Sequence, residues 1–155
     1  MWNKDRSLIL SRILTFAAAF VAVFVAFFIP TMSEWYKTEM TAEAESIFQR
    51  SSMYLPMCIT LYVCDALALA ALWNLNKLLS NIGKDEVFVE KNTHCLRRIS
   101  WICMGAGAAL IVFGMWSIIF MVFGMCAVMF GLIMRVLENV FEKAVEIKSE
   151  NDFTI

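Results

Sequence analysis

Residues 101–134 contain no Asp, Glu, Lys or Arg. Water gives no reason to keep such a run intact, whereas the hydrocarbon core of a bilayer penalises every charge placed in it. Charge is scarce throughout: 17% of the 155 residues are charged, against about a quarter in an ordinary soluble domain. The formal net charge of −1 leaves no basic field that would draw nucleic acid to the chain. A single histidine removes most acid–base and nucleophile constellations. There is no P-loop, no G-x-S-x-G and no H-E-x-x-H, so neither an enzyme nor a cofactor is expected. The five cysteines, Cys58, Cys64, Cys95, Cys103 and Cys126, form no C-x-x-C pair. No His or Cys falls at ligand spacing, so no metal site and no disulfide framework are expected.

What is present is apolar: 61% of the residues are hydrophobic and the mean hydropathy is +0.69. The pattern predicts an all-α polytopic membrane protein with four transmembrane helices and a cytoplasmic C-terminal helical extension. The first span covers about residues 8–29, with Arg12 near enough to its end to snorkel to the headgroups. Its flank resembles the start of a signal peptide, but the run closes on Phe27, Phe28, Ile29 and Pro30 without a small-x-small cleavage site. Ala18, Ala22 and Ala26 form a small-residue stripe within it. The second span covers about 53–75, with Pro56 in its first turn, where a missing N–H costs least. As one helix the uncharged run would be ~51 Å long, against a core about 30 Å thick. Two spans, about 99–116 and 118–135, joined by a tight turn near 114–117, fit better. Gly105, Gly107, Ala127 and Gly131 offer them close-packing surfaces.

Lys and Arg set the expected orientation. Lys4, Arg6 and Arg12 belong to the N-terminal segment; Lys77, Lys84, Lys91, Arg97 and Arg98 lie in the loop 76–98; Arg135, Lys143 and Lys148 belong to the C-terminal segment. The loop 30–52 has only Lys37 and Arg50 against Glu34, Glu39, Glu43 and Glu45. That loop is placed outside, with both termini and the loop 76–98 in the cytoplasm. Trp2, Trp73 and Trp101 then mark the inner interface, and Trp35 and Trp116 the outer one.

The cytoplasmic segments hold the distinctive polar sequence. Gly83 ends the helix of the second span, a short extended piece follows, and residues 90–98 run as helix into the third span. The tail, 136–155, continues the last helix. Val136, Val140, Ala144 and Ile147 form an apolar stripe on it, and Glu138, Glu142, Glu146 and Glu150 an acidic one. Like charges at i,i+4, near a helix C-terminus, disfavour the isolated helix. A cationic neighbour is therefore expected: Arg97 and Arg98 with Lys91 behind them, or a basic partner protein.

Lys4-Asp5-Arg6-Ser7, Gly83 to Phe88 with Asn92, Leu96-Arg97-Arg98-Ile99-Ser100-Trp101, Gly131 to Val136 and Glu150 to Ile155 together resemble the domain of unknown function 2975 family. The resemblance implies a small four-span protein of the bacterial inner membrane with no assigned chemistry. It also makes a short helix-turn-helix regulator, often encoded beside such proteins, a candidate partner. The turn between the last two spans departs from the family pattern in lacking proline.

Asp65 is the one ionisable residue placed deep in a span. It is a candidate ion or proton site, or a neutral acid hydrogen-bonded across the bundle. His94 and Cys95 adjoin without further ligands. Three readings stay open. The first is an interaction or regulatory protein that holds a soluble partner at the membrane, with Arg97, Arg98, Glu138, Glu142, Glu146 and Glu150 as contact candidates. The second is a small oligomeric channel or transporter using Asp65. The third is an immunity or stress protein whose acidic outer loop meets a cationic peptide.

Overall fold

The computed structural model describes residues 4–43, 54–84, 86–115 and 117–152, and all of its regular structure is helical. The four helices are α1 (Lys4–Glu43), α2 (Tyr54–Ile82), α3 (Glu90–Phe113) and α4 (Ile118–Asp152). Each is long and apolar enough to cross a membrane. The uncharged run is folded back on itself. Gly114 closes α3, its N–H donating to the Leu110 carbonyl at 2.8 Å, and α4 begins four residues later. Residues 114–117 are thus the expected turn; Trp116 itself lies outside the described residues, as do Trp2 and the loop 44–53.

The first helix overruns its expected bounds. The loop expected from residue 30 begins as helix, because α1 passes through Pro30. Proline there leaves the Ala26 carbonyl without its usual N–H, a loss that apolar membrane helices tolerate. At 40 residues, α1 is ~60 Å long, roughly twice the thickness of a hydrocarbon core. α4 continues without a break past Arg135, as expected of the tail, within one 35-residue helix; its candidate span runs on to Asn151, so the expected cytoplasmic extension is not set apart from the span. Nothing in the sequence there, neither Gly nor Pro, interrupts the α-helical pattern.

The packing is sequential. α3 lies between α2 and α4, and α2 between α1 and α3; among the described residues α1 approaches only α2 at backbone range. Small residues bring α3 and α4 closest. A Cβ on Gly107 would stand 2.7 Å from the Gly124 carbonyl oxygen, and one on Gly124 2.8 Å from that of Gly107. A Cβ on Gly131 would stand 2.7 Å from the Met104 Cγ and 3.0 Å from the Ser100 carbonyl oxygen, and Ser100 donates to the Gly131 carbonyl at 2.8 Å. Gly105, expected on this surface, is exposed instead. In the alanine stripe of α1, Ala22 and Ala26 are half-buried and Ala18 is exposed.

Side chains tie the turn end. The Tyr36 hydroxyl and Ser117 Oγ share a hydrogen bond of 2.6 Å, and the Tyr36 ring meets Phe120 edge-on at 5.9 Å. The other end is closed by Leu78, Cys95 and Leu96, with Leu75, Ile82, Met134 and Phe141 packed around them.

Candidate functional site

The polar residues of the chain gather where α3 begins and α4 leaves its apolar half. The buried face of α3 is spaced as Asn92, Cys95, Leu96, Ile99 and Ser100, so two polar residues, Asn92 and Ser100, fall on an otherwise apolar helical stripe. Asn92 is fully buried and satisfied. Its Nδ2 donates to the carbonyls of Glu86 and Val87, both at 2.8 Å, and its Oδ1 accepts from Asn81 Nδ2 at 2.8 Å. This one side chain fastens the loop after Gly83 to the ends of α2 and α3. Phe88 then stacks on Phe141 of α4 at 5.8 Å.

One turn further along, Arg97 Nε donates to Glu138 Oε1 at 2.5 Å. Glu138 is only 1% exposed, while the Arg97 side chain is 44% exposed. Arg135 reaches the second oxygen at 3.5 Å, and that Oε2 has no hydrogen bond among the described residues. Arg97 also lies 3.8 Å from Glu142. The hydrogen bond and charge of Glu138 raise the Arg97 guanidinium above its ordinary value. A raised cation stabilises fully below its ordinary pKa and is lost only as pH climbs through the higher folded value, so this contribution is constant at neutral pH.

The cationic neighbour expected for the acidic stripe is therefore Arg97, together with Arg135. Arg98 and Lys91 point elsewhere: both are exposed and neither makes an ion pair among the described residues. The stripe is also rotated unexpectedly. Glu138 faces inward, and Val136, Val140 and Ile147 face outward, each about 60% exposed. Beyond the pair, Glu90, His94 and Arg97 of α3 face Glu142, Lys143 and Glu146 of α4 across an open polar groove of about 940 Å³. Glu146 has no ion pair among the described residues. Glu150 stands exposed one turn further along.

Arg135 serves a second neighbour, lying over the Trp101 ring at 5.5 Å. The two ends of the uncharged run thus meet side by side. They place the first charge of α4 level with the first aromatic of α3, where an apolar slab gives way to polar surface.

Asp65, at mid-span on α2, is half-buried, with no hydrogen bond or ion pair among the described residues. Its neighbour Cys64 faces α3, its thiol donating to the Ala106 carbonyl at 3.8 Å. Among the described residues no three His, Cys, Asp or Glu gather as metal ligands. Two contributors escaped sequence reasoning, Ser100 and the partnership of Arg135 with Trp101. The first is signalled by a hydroxyl on an apolar helix face. The second needs the fold-back at 114–117 before the two residues can be seen as neighbours.

Fold and site together define a small polytopic membrane protein, a four-helix assembly with an ion-paired polar end. The chain belongs to the domain of unknown function 2975 family, whose model, described as a protein of unknown function (DUF2975), matches residues 38–155. The resembling segments from Gly83 onward lie inside that match, and residues 4–7 lie before it. No curated protein and no solved structure gives a significant match.

Proposed function

We propose that this protein is a membrane-bound interaction or regulatory protein, not an enzyme, that holds a soluble partner at the bacterial inner membrane. Both termini, the loop between α2 and α3 and the half of α4 beyond Arg135 lie in the cytoplasm on this reading, because Lys and Arg concentrate in those segments. The observation that carries it is the groove between the start of α3 and the end of α4. Beside it the Glu138 carboxylate is neutralised by two arginines, while Glu142, 61% exposed and 3.8 Å from Arg97, and Glu146 stand at the rim. Internal pairing thus leaves acidic rim sites for a basic helix or arm. The outward stripe of Val136, Val140 and Ile147, on another face of the same half of α4, offers such a partner apolar contact. A small DNA-binding regulator, the partner that the resemblance implies, has the required basic surface.

Crosslinking of the tagged protein in its cells, purification in mild detergent and mass spectrometry test this. A co-purifying soluble protein, lost in E142K/E146K but retained in K77Q, is the expected result. Recovery of the same proteins with and without the charge reversal would remove the groove from the function. Recovery of the chain alone as a defined oligomer would favour transport through Asp65 instead.

A further inference from the structure

The basic residues of α3 that take no part in the groove share a face of their own. Lys91 and Arg98, with Trp101, follow the spacing i, i+7 and i+10, which aligns them along one side of a helix, and all three are exposed. The upper end of this face is where the uncharged run begins. There the Arg135 guanidinium rests over the Trp101 ring at 5.5 Å, with Arg98 one helical turn below. The acidic groups nearby are turned away or neutralised: Glu138 is buried between Arg97 and Arg135, and Glu90 and Glu142 line the groove on the other side of Arg97. What remains is an indole flanked by two arginines at the boundary of an apolar slab, above a lysine.

We infer that Arg98, Trp101 and Arg135 form a headgroup site for an anionic phospholipid. The phosphate would be held by the two guanidinium groups, which match phosphate oxygens in fork geometry. The indole would lie at the glycerol level, where tryptophan is enriched in membrane proteins. Lys91, below, adds the long-range attraction that basic residues next to a span exert on acidic lipid. The site is separate from the partner groove and requires only that residues 101 and 135 mark an interface; it holds whether or not a soluble partner exists.

The full-length protein, placed in nanodiscs of equal parts phosphatidylglycerol and phosphatidylcholine and released into the gas phase, reports which lipid it keeps. Retention of phosphatidylglycerol over phosphatidylcholine by about tenfold is expected, a difference of about 1.4 kcal/mol. Arg98→Gln and Arg135→Gln should each cut that preference at least about threefold, the loss of one charge-assisted contact. Arg98 makes no ion pair among the described residues, so its variant keeps the fold even if that of Arg135 is weakened. Lys84→Gln, in the loop after α2, should leave the preference unchanged. Equal retention of the two lipids would overturn the site, as would a preference that survives either arginine substitution. Displacement of the lipid by inorganic phosphate, at ionic strength matched with chloride, would show a free-anion site and overturn the lipid assignment.

Discussion

Asn92 satisfies three hydrogen bonds from a fully buried position, which makes it the polar residue whose loss should be felt most. Asn92→Ala strands groups for which no other hydrogen-bond partner stands among the described residues, at a cost of about 1–3 kcal/mol. A lower thermal midpoint in detergent, with helix content retained, is the expected outcome; an unchanged midpoint would mean that the loop is held by Phe88 on Phe141 alone. Glu138 and Arg97 are not equivalent halves of their pair. Removing Arg97 leaves a buried carboxylate with only Arg135 at 3.5 Å, whereas removing the carboxylate frees two arginines that already reach solvent. Arg97→Met should therefore lower the midpoint more than Glu138→Gln does. The opposite order, in parallel melts, would show that the arginines rather than the carboxylate need the pairing. The tail's acidic repeat was legible in the sequence, and so was its need for a cation. Which glutamate turns inward was not, because residues 138, 142, 146 and 150 are equivalent by spacing until the closeness of α3 selects one.

At the scale of elements, the α3–α4 pair depends on backbone contact between Gly107 and Gly124. Gly124→Ala would set its Cβ 2.7 Å from an Ile111 side-chain carbon and 2.8 Å from the Gly107 oxygen. Backbone cannot move aside as a flexible side chain can, so overpacking should cost about 1–3 kcal/mol. Gly105→Ala has only Leu67 at 4.0 Å to meet, so it should be neutral within about 0.5 kcal/mol. Chemical denaturation of the two variants side by side checks the contrast, and equal effects would remove close packing as the reason for the glycines. Helix number and the turn at 114–117 follow from length and composition: an uncharged run longer than a bilayer is thick must fold back. The continuation of α1 through Pro30 could not be read the same way. Proline and the nearby glutamates signal a boundary locally, but a helix already formed on both sides of the ring can lose one hydrogen bond and continue.

For the molecule as a whole, the arrangement is open rather than closed. Among the described residues α4 does not pack on α1 or α2 at backbone range, leaving an apolar groove of about 350 Å³ between α2 and α4, floored by Leu96 and Ile99 of α3. Sequence periodicity could not show this, since every face of a membrane helix is apolar whether it meets protein or lipid. The partner reading depends on which side of the membrane the polar end occupies, and that can be measured directly. In a variant with all five cysteines replaced by serine or alanine, single cysteines at Lys37, Lys84 and Ser149 report three segments. Each position lies outside the uncharged run, on a segment assigned by its Lys and Arg content. A membrane-impermeant maleimide added to intact cells stripped of their outer envelope should label K37C alone. K84C and S149C should label only after the membrane is opened. Tyr36 sits at the turn end of α3 and α4, and Asn81 joins Asn92 at the opposite end, so the fold requires the sites at 37 and 84 to differ. Labelling of K84C and S149C from outside, with K37C protected, would turn the groove away from the cytoplasm and exclude a cytoplasmic regulator as its partner.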